Sequence, residues 1–420
     1  MPYLGSAFLP SSSSSTRGPD TGQSTLKMQL PLETEALVVH APGGDFAMTP
    51  IVIQDLRPDE LLVEIKYSGI CHTDFWLQSG AAGPLVEFPA IPGHEGAGII
   101  RAIGSEVKDK TLRVGDRVLL SFTACGDCTP CREEQFSGCA DFAQLNLTGL
   151  RRPDGTTPAA LRGDGRPVRS QFFGQSSFSR FSAVHEHCVV RYPFPKGEEE
   201  EKEEEEEEDT LALYAPMGCG YQTGAGTILN IMRPRPEQTV AVFGAGSVGF
   251  AAIMAAAAVS VKQVIAVDLV ERKLELAKEM GATHAINTAA LQQGTVVDEI
   301  RRLTGGRGVD FAIDTTGVPS VVEKMLDCLA YGGTAASIGA TPMEARISVD
   351  VGAFFANKKT WIGVAEGDSH PPKFIPELID LHKRGKFPVE RISKVYPVAD
   401  LKKAISDMKD GTVIKPIIRF

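Results

Sequence analysis

The run EQTVAVFGAGSVGFAAIMAAAAVS, beginning at residue 237, restricts the fold more than any other part of the chain. An unbroken apolar stretch ends in Gly244-Ala245-Gly246-Ser247-Val248-Gly249 and passes directly into an Ala-rich segment of helical character. A continuous apolar strand suits the middle of a parallel sheet covered on both faces. Glycines at those three positions permit the tight turn, the approach of a pyrophosphate to bare backbone N–H groups, and close packing of helix on strand. QVIAVDL then reads as a second strand ending at Asp268, 19 residues beyond Gly249. A carboxylate there accepts ribose hydroxyls and repels a 2′-phosphate, so NAD is expected in preference to NADP. ERKLELAKEMGA reads as a helix ending at Gly281. HAIN, DFAIDTTG and GGTAASIG add strand-and-turn units, with VPSVVEKMLDCLAY helical between the last two. This alternation through about residue 365 predicts an α/β, doubly wound parallel sheet.

The preceding part of the chain has a different period. EALVVH, IVIQDL, ELLVEIKYSGI, RVGDRVLLSF and SRFSAVHEHCVVRYP are short strands broken by Gly, Pro and Asp, and they predict a partly open, β-rich barrel over about 30–195. With 420 residues the chain suits two domains of ordinary size. The last 50 or so residues hold one amphipathic helix (FIPELIDLHKRG) and a strand-like end, IKPIIRF, expected to return to the first domain. Residues 1–30 are rich in Ser, Thr, Pro and Gly and are expected to be a disordered tail. They have no secretory-type apolar core, and no run in the chain reaches the ~18 apolar residues of a membrane span. A cytoplasmic, non-membrane protein is therefore expected. Net charge is −10, but residues 198–209 hold eleven acids and one Lys. The 42 basic and 42 acidic residues elsewhere balance, which argues against a nucleic-acid partner. The acidic run itself is expected to be a solvated, disordered insert.

The eight cysteines are unevenly placed. Cys125, Cys128, Cys131 and Cys139 fall within 15 residues, in a loop with Gly126, Pro130 and Gly138. Four thiols at this spacing suit tetrahedral zinc with no open position, a structural site; an iron–sulfur cluster or disulfides are the competing uses. Cys71 (in GICHTD), His94 and Glu95 (in PGHEGAG) and Cys219 (in PMGCGYQTGAG) are dispersed. Two thiolates and an imidazole from separate loops suit a zinc with one position free, although each residue alone reads as an ordinary packing or surface residue. Cys188 and Cys328 read as buried packing thiols, and His185 and His187 as polar residues of a strand surface.

Gly93-His94-Glu95-x2-Gly98-x5-Gly104-x2-Val107 matches the zinc alcohol dehydrogenase signature of the medium-chain dehydrogenase/reductase superfamily. GICHTD, the four-Cys lobe, GCGYQTGAGT and VFGAGSVG follow in that family's order, and the resemblance spans about 34–420 apart from the acidic insert. FFGQSSFSRFSAVHE and APMGCGYQTGAG are most similar to the aryl (benzyl) alcohol dehydrogenases.

This resemblance implies a GroES-like catalytic domain over 31–219 and 366–420, and a Rossmann NAD-binding domain over 220–365. It implies two zinc ions per chain and NAD. Cys71, His94 and Cys219 would ligate the catalytic zinc, and Cys125, Cys128, Cys131 and Cys139 the structural one. Glu95 would stand beside the catalytic metal, and Asp74 would orient His94. Thr73 would hydrogen-bond the alcohol and pass on its proton. His72 and Lys415 would hold the pyrophosphate, together with the turn Gly244, Gly246, Val248 and Gly249. Thr223 would lie at the nicotinamide, Lys273 beside Asp268 at the adenosine ribose, and Phe172 and Phe173 along an apolar pocket. A homo-oligomer, dimer or tetramer, is implied. The expected reaction is hydride transfer between NAD and a primary, aromatic or allylic alcohol. The alternatives are another alcohol or aldehyde, such as a secondary-metabolite intermediate or a glutathione adduct, or a non-catalytic relative that keeps NAD and zinc. One departure is clear: several relatives end their proton relay in a His at the position of Trp76.

Overall fold

A computed structural model describes residues 29–151, 154–192, 210–342 and 344–420. The expected N-terminal tail, up to residue 28, and the acidic run 198–209 lie outside these residues. In chain order the first strands are β1 (Leu32–Val38), β2 (Ala47–Ile53), β3 (Glu60–Gly69), β4 (Gly96–Ile103), β5 (Arg117–Leu120), β6 (Ala159–Leu161), β7 (Pro167–Val168), β8 (Phe181–His185) and β9 (Val189–Arg191). Six more follow: β10 (Thr239–Phe243), β11 (Gln263–Asp268), β12 (His284–Asn287), β13 (Val309–Asp314), β14 (Leu329–Ser337) and β15 (Thr360–Gly363). The chain ends with β16 (Ser393–Pro397) and β17 (Lys415–Arg419).

β10 to β15 form one parallel sheet in the order β12-β11-β10-β13-β14-β15. Strand order reverses direction between β10 and β13, and in a doubly wound sheet the crevice at such a switch point is where a dinucleotide binds. β10 is buried at all five positions, as its unbroken apolar sequence requires. One boundary differs from the sequence pattern. The helix read over VPSVVEKMLDCLAY stops at Asp327, Cys328 caps it, and Leu329 already pairs with Val309 as the start of β14. Apolar residues at a helix end and at the start of a buried strand look alike in sequence, so periodicity does not separate them.

The other strands make a four-stranded sheet, β1-β2-β6-β7, and a larger one ordered β16-β17-β3-β4-β5-β9, with β8 also on β3. Isolated bridges join Ala36 to Ser179 and Val39 to Ala90, linking β1 and the residue just beyond it to other parts of this β-rich unit. The C-terminal strand returns as expected: Ile417–Arg419 of β17 lie antiparallel to Tyr67–Gly69 of β3.

The two units share an apolar core. Tyr67, Tyr214, Tyr221, Phe250, Met254, Ile375 and Phe387 are buried in one cluster spanning both, each large side chain worth on the order of 1.5–3 kcal/mol by removal from water. The helix Ser247–Ala258, SVGFAAIMAAAA, is Ala-rich, and Ala is both the best helix former and small enough for close approach. It packs on the helix Gly220–Gly226 so closely that a Cβ at Gly224 would stand 2.0 Å from the Val248 carbonyl oxygen. This contact sets Cys219, which caps the second helix, beside the glycine turn that opens the first.

Candidate active site

Three separate loops bring the dispersed residues together. Cys71 follows β3 and caps the helix His72–Gln78. His94 and Glu95 lead into β4, and Cys219 caps Gly220–Gly226. One potential ligand atom from each of Cys71, His94, Glu95 and Cys219 lies within 4.8 Å of every other, and all four residues are buried. Asp74 Oδ1 accepts from His94 Nδ1 at 3.0 Å and from the Gly93 backbone N–H at 2.9 Å, and Oδ2 accepts from Cys71 N at 2.9 Å. With its Nδ1 proton engaged, the imidazole presents Nε2 as a lone pair. That Nε2 is buried with no hydrogen-bond partner. An orphaned imidazole nitrogen beside two thiols is costly unless a cation fills the gap, and the donor set S, S, N suits zinc with a position to spare. The Cys71 thiol is held well below its ordinary pKa, chiefly by the Cys219 hydrogen bond, against the opposing effect of burial.

The second cluster is equally tight. One sulfur each from Cys125, Cys128, Cys131 and Cys139 lies within 4.8 Å of the others, and all four are free thiols in the structure. Backbone N–H groups already point at these sulfurs: Cys125 N donates to Cys139 Sγ and Cys128 N to Cys125 Sγ, both at 3.4 Å. The Ala140 backbone N–H leads the influences that hold the Cys128 thiol down at about 6, the thiolate-favouring setting a zinc ligand needs.

Between the two units runs a cleft of about 530 Å³. Asp268 and Lys273 line one end, Gly244, Gly246, Ser247 and Val248 the middle, and Cys71, Thr73, Cys219, Thr223 and Glu366 the other end; His72 is also on the wall. A Cβ at Gly249 would meet the Gly244 carbonyl oxygen at 1.9 Å, whereas one at Gly246 would meet nothing within 4 Å and would project into the opening. The turn is thus tight on its packed side and bare on its open side, a cradle for pyrophosphate at a helix N-terminus. Asp268 has a further role the motif did not reveal. Its Oδ2 accepts from Ala245 N at 2.7 Å, and Oδ1 from Leu269 N and Val270 N at 2.8 and 2.9 Å. The carboxylate therefore pins the glycine turn and still has lone-pair capacity for a ribose hydroxyl.

Two sequence expectations are corrected. Lys415 is 1% exposed and is not on the cleft wall. β17 is paired on both sides, and the ammonium bonds both Glu95 oxygens, at 2.9 and 2.8 Å, and the Ile70 carbonyl at 3.1 Å. A buried carboxylate needs a counter-charge, and Lys415 supplies it to Glu95. Phe172 and Phe173 are also withdrawn from the opening. Phe173 stacks on the His94 ring with centroids 4.7 Å apart, and Phe172 meets that ring edge-on at 5.5 Å. The aromatic side chains on the cleft wall are Trp76 and Phe142, with Phe173 edge-on behind Phe142 at 6.5 Å. Glu366 was not singled out from sequence. No motif marks it, and its place on the wall depends on how the loop after β15 folds.

The remaining residues are structural. Cys188 and Cys328 are fully buried. His185 and His187 are half-buried rather than on an open strand surface: His187 Nδ1 bonds the Ala124 carbonyl at 2.6 Å, and His185 Nδ1 bonds Thr123 Oγ1 at 3.1 Å.

A Cys₂His site with a free position opening into a dinucleotide cleft, plus a closed four-thiol lobe, defines a metal-dependent nicotinamide dehydrogenase. Residues 57–194 match the alcohol dehydrogenase GroES-like domain, and 247–384 match the zinc-binding dehydrogenase family. A geraniol dehydrogenase from Castellaniella defragrans is 36% identical over 93% of this chain and 98% of its own. Two solved structures are similar throughout. An alcohol dehydrogenase zinc-binding domain protein from Burkholderia ambifaria has a TM-score of 0.83 and 39% identity, covering 93% of this chain and 99% of that one. A benzyl alcohol dehydrogenase from Acinetobacter calcoaceticus has a TM-score of 0.82 and 35% identity, with the same coverage. The chain belongs to the zinc-containing alcohol dehydrogenases of the medium-chain dehydrogenase/reductase superfamily. It is an enzyme that uses zinc and a nicotinamide dinucleotide to act on alcohols. Among the described residues no helix is long and apolar enough to cross a membrane.

Proposed function

We propose that this enzyme interconverts a primary aromatic or allylic alcohol and its aldehyde with NAD, its catalytic zinc held by Cys71, His94 and Cys219 and a structural zinc by Cys125, Cys128, Cys131 and Cys139. The observation that carries the reading is the unpartnered, buried His94 Nε2 among two thiols at the nicotinamide end of the cleft. When bound, zinc supplies Lewis acidity that makes an alcohol hydroxyl far more acidic and polarises an aldehyde carbonyl, and the nicotinamide takes up or returns the hydride.

The chain's own residues do the rest. Asp74 fixes the His94 tautomer. The Thr73 hydroxyl, on the cleft wall and 3.6 Å from Cys71 Sγ, can accept the alcohol's proton while giving up its own. Trp76 offers only an N–H donor, so it cannot take that proton further, and the relay ends in water or in another group. Trp76 and Phe142 present flat apolar faces, suited to a planar ring or a conjugated double bond. Asp268 favours a free ribose 2′-hydroxyl over a phosphate. The names of the geraniol and benzyl alcohol enzymes support the same substrate class. A panel of benzylic, allylic and short aliphatic alcohols, each with NAD and NADP, tests this. NAD should be preferred by at least about a hundredfold in kcat/KM, and benzylic or allylic alcohols by about tenfold or more over ethanol. A preference for NADP or for ethanol overturns it.

We also propose that residues 31–219 with 366–420 form the catalytic domain, 220–365 form the dinucleotide domain, and the latter carries a homo-oligomer contact. Among the described residues β15 ends the parallel sheet with β14 on one side alone. Near it Trp361 is 43%, Tyr331 71%, Val351 76% and Phe355 83% exposed. A bare strand edge flanked by large apolar side chains is normally covered. Light scattering should give two or four chains per particle; a monomer at micromolar concentration overturns this.

A further inference from the structure

Glu366 is a buried acid on the cleft wall that the mechanism above leaves unused. It is 8% exposed, yet it lines the cleft at the end shared by Cys71, Cys219 and Thr223. Its backbone is left-handed, and so are the next two residues: φ is 49° at Glu366, 65° at Gly367 and 46° at Asp368. Gly367 adopts this conformation freely, but Glu366 and Asp368 are strained in it, and such residues persist where the surroundings over-determine them. Here they do. A Cβ at Gly367 would meet the Gln222 carbonyl oxygen at 2.4 Å, and Asn230 Nδ2 donates to the Gly367 carbonyl at 3.0 Å. The loop is clamped on the helix behind Cys219, and the clamp aims a carboxylate into the opening.

That carboxylate is under-supplied with donors. Two oxygens offer about four acceptor positions. Gln222 Nε2 fills one at 3.1 Å. Thr223 Oγ1 stands at 3.4 Å, but its hydroxyl is engaged more closely by the Cys219 carbonyl at 2.7 Å. On the other oxygen the Cys219 thiol is a long, weak donor at 3.7 Å, and as a thiolate it would donate nothing. A buried carboxylate with unfilled acceptor positions calls for a donor from whatever enters the cleft. Asp268 and Lys273 mark the adenosine end, so the nicotinamide lies at the Glu366 end. The N–H donors a nicotinamide carries there are those of its carboxamide.

We propose that Glu366 is a further cofactor-recognition residue, its carboxylate accepting a hydrogen bond from the carboxamide N–H of the nicotinamide. This rests on the dinucleotide reading above, and the ligands of the test keep the two apart. Binding to the zinc-loaded protein is measured by calorimetry for NAD, for its 3-acetylpyridine analogue, which lacks the N–H, and for ADP-ribose, which lacks the whole ring. Wild type should bind NAD roughly ten- to a hundredfold more tightly than the analogue, as expected for a hydrogen bond to a charged group. Glu366→Leu, which keeps bulk and removes both acceptors, should bind NAD and the analogue alike while holding ADP-ribose as wild type does. Glu366→Ala carries the same expectation should the leucine fail to fold. A wild type that does not distinguish NAD from the analogue overturns the proposal, as does a folded variant that distinguishes them as well as wild type. Failure of wild type to bind ADP-ribose would instead overturn the dinucleotide reading.

Discussion

Cys71→Ser is expected to lower kcat/KM for every alcohol by at least about a thousandfold, while NAD affinity stays within about twofold. A Lewis-acidic metal contributes several kcal/mol to a developing oxyanion, and each 1.36 kcal/mol is a factor of ten. Serine keeps the size of the side chain but not the soft thiolate that zinc selects. The neighbouring carboxylate is poorly placed to replace it. Glu95 has an oxygen within the same cluster, but both its oxygens are held by Lys415 at 2.9 and 2.8 Å. Recruiting it would strand a buried ammonium. The Gly244–Gly249 turn and Asp268 belong to other segments, so the dinucleotide should still bind. Metal analysis should fall from two zinc per chain to one, and single-turnover kinetics should show no hydride transfer. Near-normal turnover with a single zinc per chain would contradict this assignment.

Cys131→Ser should act on stability first. The lobe has little apolar material of its own: Ala124, Cys131, Cys139 and Leu145 are its buried members. So small a cluster cannot offset the backbone entropy of ordering the loop, and on the proposed assignment the four sulfurs hold it through a metal. Cys131 is 4% exposed, and its sulfur is 3.8 Å from that of Cys125. Losing one of four thiolates should reduce unfolding free energy by about 4 kcal/mol or more, the range reached when a structural metal is lost. Urea denaturation at fixed zinc concentration measures it, and zinc should again fall to one per chain. The catalytic effect should appear in KM more than in kcat, because Phe142 of the cleft wall begins the helix that follows the lobe. Unchanged stability with two zinc retained would overturn the assignment of Cys131 as a ligand on which this lobe depends.

The two metal sites differ in how much the sequence reveals. In the four-Cys lobe, the ligands lie within 15 residues, and a short loop with two-residue spacings can reach tetrahedral geometry almost by itself. The GAGSVG turn is equally local: strand, turn and helix are contiguous, and the backbone conformation each glycine permits is a property of that residue. Cys71, His94 and Cys219 are separated by 23 and 125 positions. Their order and flanking residues match a family signature, but their meeting at one point depends on β3, β4 and the helix after Cys219 being held by a shared core.

What the sequence by itself determined is the class of chemistry: a dinucleotide turn with its acid, a four-thiol loop, and the residue types of a second zinc site. The tertiary structure decided where each long side chain points. Lys415 was expected at the pyrophosphate, but pairing of β17 on both sides turns it beneath Glu95. Phe172 and Phe173 were expected along the pocket, but they pack on His94 and leave the wall to Trp76 and Phe142. Glu366 had no motif at all, and a strained loop clamped on another helix delivers it to the cleft. The physical reason is one of range. Turns and close spacings are set by backbone sterics within a few residues, whereas the direction of a side chain far along the chain is set by packing and charge neutralisation among segments that sequence order does not bring together.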